Sequence, residues 1–167
     1  MERIKISKLS EYVGKEVMIA GWVDVRRDMG KLIFIDLRDV SGKVQMVILP
    51  NHKEAGVVGS ELRSEWVIEV TGMVNKRPEK MVKKDTLNGD VEIEVLDIKI
   101  LSKAKELPFA LGSELNIDTH LDNLPLTLRD EKHTAIFKIQ AEITKAFRNF
   151  FSGEGFYEFQ SPKLIGD

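Results

Sequence analysis

The chain contains no cysteine, so neither a disulfide framework nor a thiolate metal site is available to it. Histidine is nearly as scarce. His52, His120 and His133 lie too far apart for a short ligand motif such as two histidines on successive helix turns, and no metal site is expected. No apolar run approaches the ~20 residues of a membrane helix. The opening MERIKISKLSEYVG lacks the apolar core and small-residue cleavage site of a secretory leader, so a cytoplasmic protein with no membrane partner is expected. Also missing are a GxxxxGK phosphate loop, a GxSxG elbow and a paired-histidine motif, and the many carboxylates form no identifiable catalytic pair. No catalytic residue is therefore expected within these residues.

What is present is a balanced, apolar-rich chain of 167 residues. It has 43% hydrophobic residues, and 25 basic against 27 acidic side chains give a net charge of −2. That composition disfavours disorder and fits one domain, or one domain with part of another. The near-neutral total hides a basic stretch, TGMVNKRPEKMVKK, where Lys76, Arg77, Lys80, Lys83 and Lys84 face only Glu79. Such a run is either a solvated loop or a place to meet a polyanion.

Five apolar runs bounded by turn signals predict strands at 16–27, 32–38, 43–49, 65–76 and 90–101, with a short helix within 50–64. The order β-β-β-α-β-β is that of a five-stranded OB barrel, which can bury a complete core in roughly 100 residues. Residues 104–130 carry two prolines and no sustained periodicity, and are read as a hinge. Beyond them Ile136, Ile139, Ile143, Phe147 and Phe150 recur at helical spacing, predicting a helix from about Glu131 to Phe151 that stops at Gly153 and Gly155. FYEFQSPKLI then reads as a strand running into Pro162. The fold expected is mainly β with α. A barrel occupies 1–103, a hinge 104–130, and the start of a second domain 131–167, where a helix and one strand cannot enclose a core alone.

Strand alternation separates faces. Ile33, Ile35 and Leu37 form an inward set in the second strand, and Val44, Met46 and Ile48 in the third. This leaves Phe34, Asp36, Gln45 and Val47 outward. If Asp39 and Gly42 close the hairpin, Asp36 faces Gln45 and Phe34 faces Val47. An outward ring beside an amide and near arginines makes a base-stacking platform, worth ~1 to 3 kcal/mol per base. The alternative is that a loop covers Phe34 and makes it core. In the first strand, alternation puts Val17, Ile19, Gly21, Val23 and Val25 inward and Trp22, Asp24 and Arg26 outward. Arg27 joins the outer face only if the strand bulges or the hairpin has already begun to turn, so Arg26 and Arg27 compete for that face.

The stretch GWVDVRRDMGKLIFIDLRDVSGKVQMVI (21–48) resembles the anticodon-binding OB domain of aspartyl-tRNA synthetases. ITKAFRNFFSGEGFYEFQSPKLI (143–165) resembles motif 1 of class II synthetases, a helix, a glycine and a strand ending at a proline, here Pro162. The resemblance covers nearly the whole chain. It implies an anticodon loop as partner, with Phe34 stacking on the central uridine, Gln45 reading its edge, and Arg27 rather than Arg26 beside them. It further implies Arg77 near the anticodon stem and a homodimer in the full enzyme with Phe147, Phe150 and Pro162 at its interface, while the basic run itself puts Lys80, Lys83 and Lys84 along the RNA backbone. Asparaginyl and lysyl enzymes share the domain and the central uridine, and a free-standing OB protein binding single-stranded nucleic acid is the reading from another class. The family's motifs 2 and 3, which hold ATP, are absent. LRDEK (128–132) is similar to the FRDE of motif 2, but it precedes the motif 1 helix and is read as a helix start, with Asp130 and Glu131 at the positive end of the dipole. These residues are therefore expected to need no cofactor and to be inactive alone, while the full enzyme would use ATP and Mg²⁺.

Overall fold

The computed structural model describes residues 2–83, 86–110 and 112–162. Its contacts divide the chain into two units, Met1–Glu106 and Leu107–Asp167. The first is a closed barrel of β1 (Glu16–Asp28), β2 (Ile33–Asp39), β3 (Gly42–Ile48), β4 (Val67–Lys76) and β5 (Val91–Ser102), in the order β1-β2-β3-β5-β4. A helix, α1 (Lys53–Glu61), connects β3 to β4. This is the five-stranded OB architecture. Closure comes from the parallel pairing of β3 with β5, Met46 to Ile93 and Val47 to Glu94.

The strands form because β-branched and large aliphatic residues recur at every second position, and the barrel interior collects them. Ile19, Val23, Ile35, Leu37, Met46, Ile68, Val70 and Ile93 are fully buried. Each such side chain contributes ~1.5 to 3 kcal/mol by leaving water. β1 serves two neighbours. Its first half, to Trp22, pairs with β4, and from Trp22 onward it pairs with β2. Gly21 stands at the changeover, where a Cβ would collide with the Arg38 carbonyl oxygen, so no side chain fits there.

One element has no counterpart in the strand reading. A 3-10 helix, Ile6–Tyr12, inserts Ile6 and Leu9 into the core with no exposed surface. The carboxylate of Asp39 holds its start and the β2–β3 hairpin together, accepting from the Ile6 N–H at 3.0 Å and from the Ser41 and Gly42 N–H groups at 2.7 and 3.1 Å. From the β4–β5 loop, Asn88 donates its side-chain amide to the Ile6 carbonyl oxygen at 2.8 Å.

The second unit begins with the residues read as a hinge, but α2 (Ile117–Asp122) and α3 (Leu124–Thr127) form there. Asn116 caps α2 by accepting from the Thr119 N–H. Next comes α4 (Glu131–Gly153), capped by Asp130, whose carboxylate accepts from the Lys132 and His133 N–H groups. It ends where Gly155 adopts a φ of +85°, with the Glu154 and Phe156 N–H groups closing on the Phe150 and Phe151 carbonyls. The strand expected at 156–165 does not form over Phe156–Pro162, and residues 163–165 lie outside the described residues. A strand needs a neighbour's backbone groups, and among the described residues the second unit holds no other strand.

Candidate nucleic-acid interface

The β2–β3 hairpin closes at Asp39 and Gly42 and sets two rows across the outer face of the barrel. In one, Arg27, Phe34, Val47 and Glu94 follow each other across β1, β2, β3 and β5. In the next, Val25, Asp36 and Gln45 are in register, and Gln45 continues the row by donating from Nε2 to Glu92 Oε2 at 3.3 Å.

Two alternation readings need correction. Alternation sets Val47 outward, yet it is only 7% exposed, because Phe34 and Glu94 flank it in register on both sides. Phe34 is half-buried and stands outside the core cluster, between the two alternatives posed for it. Alternation sets Val25 inward, and it is 42% exposed. The cause is a β-bulge between Val23 and Val25, which leaves Asp24 as the extra residue and reverses the faces after it. The bulge also separates the two arginines. Arg27 falls opposite Phe34, whereas Arg26 falls opposite the buried Ile35 and reaches back toward Asp28 at 3.7 Å. Arg27 Nη2 is held across the face by Asp36 Oδ1 at 2.9 Å.

Arg77 belongs by sequence to a charge run, but its side chain is 6% exposed. Its backbone N–H continues the ladder to the Asp90 carbonyl, which draws the residue under the β4–β5 loop. Its Nε has no hydrogen-bond partner among the described residues, and Glu92 Oε2 is 4.0 Å away. A buried donor left unpaired costs ~1 to 3 kcal/mol, which an acceptor supplied from outside would offset. The guanidinium lines a shallow pocket of about 180 Å³ with Asp24, Asp36, Lys43, Gln45, Lys83 and the loop 86–89. The lining holds cationic donors (Arg77, Lys43, Lys83), carboxylate acceptors (Asp24, Asp36) and side-chain amides that do both (Gln45, Asn88), a set suited to the mixed edge of a base.

Of the residues singled out from sequence, the structure thus places Arg27, Phe34, Gln45, Arg77 and Lys83 on or beside one face. Arg26 is turned away. Lys80 is exposed on the short 3-10 turn Glu79–Met81 and does not line the pocket. Lys84 lies outside the described residues. Sequence reasoning passed over Glu92 and Glu94. Asn75 Nδ2 donates to Glu94 Oε2 at 3.2 Å, while Glu94 Oε1 is 3.0 Å from His52 Nε2. The alternation in VEIEV carried that signal, since it sets both glutamates on the outer face.

In the second unit α4 buries no side chain. Ile136, Ile139, Ile143, Phe147 and Phe150 are all more than half exposed, and Phe151 makes edge contacts with Phe150 and Phe156. Pro162 is exposed. Among the described residues no group of His, Asp or Glu side chains is arranged to hold a metal ion, and no helix is long and apolar enough to cross a membrane.

Comparison with known proteins adds family relationships to this geometry. The family model described as an OB-fold nucleic acid binding domain matches residues 17–101, and that for class II tRNA synthetases (D, K and N) matches 116–167. A curated aspartate–tRNA ligase from Macrococcus caseolyticus is 42% identical over 156 residues, which cover 92% of this chain and 26% of the relative. The chain therefore spans about a quarter of that protein's length. Among solved structures, an aspartyl-tRNA synthetase from Entamoeba histolytica superposes with a TM-score of 0.85 at 26% identity, covering 99% of this chain and 40% of that one. An asparaginyl-tRNA synthetase from Pyrococcus horikoshii, complexed with asparaginyl-adenylate, gives 0.83 at 27% identity, covering 99% and 37%.

Proposed function

Because the chain belongs to the OB-fold nucleic acid binding family, with a class II synthetase segment following the barrel, we propose that it is the anticodon-reading part of an aspartate–tRNA ligase. The observation that carries this reading is the row Arg27–Phe34 beside Gln45 on the outer face. Phe34 offers the half-buried ring on which the central base of an anticodon stacks. Gln45 presents an amide to that base's edge, with Glu92 fixing its orientation. Arg27, held by Asp36, contacts the adjoining nucleotide, and Arg77 supplies a desolvated donor to the pocket beyond Gln45. Lys80, Lys83 and Lys84 follow the phosphate backbone.

In the whole ligase, aspartate would displace pyrophosphate from ATP and then pass to the terminal adenosine of the tRNA, releasing AMP. ATP and Mg²⁺ would belong to that full enzyme, and the part proposed for these residues is the reading of the anticodon. The exposed stripe of α4 serves a homodimer of the full enzyme, working in the cytoplasm. An aspartyl rather than asparaginyl or lysyl identity is favoured by the curated relative's name and its identity across nearly the whole chain. The class II match after the barrel disfavours a free-standing OB protein.

The test is titration of the chain with anticodon stem-loops that differ only in the central base. Tighter binding of uridine than of cytidine is expected, together with no ATP–pyrophosphate exchange above background. Equal binding of both loops would sink the anticodon reading.

A further inference from the structure

We propose that Asp24 and the charged cluster around it are a register lock, selecting Arg27 over Arg26 as the arginine beside Phe34. The local apolar pattern argues against the arrangement observed. A regular ladder continued from Val23 would set Val25 opposite Ile35, facing inward, and Arg26 opposite Phe34, facing outward. The bulge does the reverse. It leaves Val25 42% exposed and confines the Arg26 side chain to 26% exposure. Something other than apolar burial must hold the extra residue.

The groups that hold it converge from β2, β3 and the segment before β4. Arg38 Nε donates to Asp24 Oδ1 at 3.3 Å, and Lys43 Nζ lies 3.2 Å from Asp24 Oδ2. Arg38 is itself fixed, because Nη2 pairs with the buried carboxylate of Glu65 and its guanidinium lies 5.5 Å from the centre of the Trp22 ring. The same segment grips the backbone on either side of the bulge. The Glu65 N–H donates to the Val23 carbonyl at 2.8 Å, the Ser64 hydroxyl to the Asp24 carbonyl at 3.4 Å, and the Val23 N–H to the Trp66 carbonyl at 2.9 Å. Glu65 adopts a φ of +67° to make these contacts, a left-handed conformation that a non-glycine residue keeps only when its surroundings impose it. At the far end of the hairpin the Met29 N–H closes the turn on the Leu32 carbonyl at 2.9 Å.

Arg38 and Asp24 are thus positioning residues that act through the register of β1. What that register does for RNA rests on the anticodon reading above, but the register itself does not. The test is Asp24→Ala in the full chain, read by cross-strand nuclear Overhauser contacts to the Phe34 backbone. The unaltered protein should show contacts from Arg27. Asp24→Ala should add or substitute contacts from Arg26, and a further Val25→Glu, which disfavours an inward position 25, should restore Arg27. If Asp24→Ala does not fold, Asp24→Asn keeps an acceptor for Arg38 without the charge and should show the Arg26 contacts as a minor set. Arg27 contacts alone in the folded Asp24 variants would overturn the lock.

A binding arm reads the consequence. In the unaltered chain Arg27→Ala should weaken stem-loop binding about tenfold, the scale of one charged hydrogen bond, and Arg26→Ala less than about twofold. In the Asp24→Ala background the two effects should converge to within about threefold. An unchanged preference for Arg27 there would also overturn the lock. If neither arginine matters in the unaltered chain, the RNA role of Arg27 falls, and the Overhauser contacts still decide the register.

Discussion

Phe34 lies directly across the β2–β3 ladder from Val47, and of the two it is the aliphatic residue that is buried. The ring therefore shelters its neighbour while keeping part of its own surface in water, so its removal has two separable effects. Phe34→Ala should weaken anticodon stem-loop binding by ~1 to 3 kcal/mol, the usual loss for one stacked base. Urea unfolding should show a loss below the ~3 to 5 kcal/mol typical of truncating a fully buried Phe. A stability loss in that full range with unchanged RNA affinity would make the ring structural.

Gln45 and the loop lysines should differ in kind. Gln45→Ala removes a base-edge hydrogen bond worth ~1 kcal/mol, so the preference for uridine over cytidine should fall while the salt slope stays the same. Replacing Lys80 and Lys83 by Gln should weaken all loops alike and reduce the salt slope by about one for each phosphate no longer neutralised. Lys83 also lines the Arg77 pocket, so its replacement should have the larger effect of the two. Titrations at several salt concentrations check both. Loss of base preference in the lysine variants alone would reverse the roles.

Much of this face could be read from the chain because hairpin register follows from local residues. Asp39 and Gly42 close the turn, and alternation then fixes Phe34, Asp36 and Gln45. Alternation could pose a bulge in β1 only as a condition and could not place it at Asp24, since Arg38, Lys43, Ser64 and Glu65, which hold it, come from elsewhere in the sequence. The burial of Arg77 escaped for a similar reason: a charge run looks the same whether or not a loop folds over it. Ile6 and Leu9 repeat at the three-residue period of a 3-10 turn, too short a stretch to stand out from the charged residues around it. The strand pattern from Phe156 has no partner strand among the described residues of the second unit, so over Phe156–Pro162 it stays unpaired.

The start of α4 should respond to acid. Burial raises the pKa of Asp130, but hydrogen bonds from the His133 backbone and ring, the His133 charge and the Lys132 N–H outweigh it and hold the carboxyl below its ordinary 3.8. A depressed folded value means that the stabilisation is present above the ordinary value and is lost as the pH falls through the depressed one. Amide protection in the first turn of α4, taken relative to intrinsic exchange at each pH, should therefore be steady from pH 6 to about 4 and fall below it. Asp130→Asn, which still caps, should remove that acid step, while Asp130→Ala should cost ~0.5 to 2 kcal/mol at neutral pH. An acid step that survives in Asp130→Asn would assign it to another group.

The apolar stripe of α4 should drive self-association. Phe147 and Phe150 are 63% and 64% exposed, and Phe151 extends the patch through its ring contacts. Burying such side chains is worth ~1.5 to 3 kcal/mol each. A twofold contact needs only one self-complementary surface, so a second copy of this chain can satisfy it. Sedimentation across a concentration series should show mass rising with concentration. Phe147→Glu with Phe150→Glu should abolish the rise, because each dimer would then have to bury four unpaired carboxylates. The barrel should be unaffected, and stem-loop affinity measured at low concentration should match that of the unaltered chain. A monomer at high concentration, with α4 resistant to proteolysis, would show that the stripe is covered within its own chain.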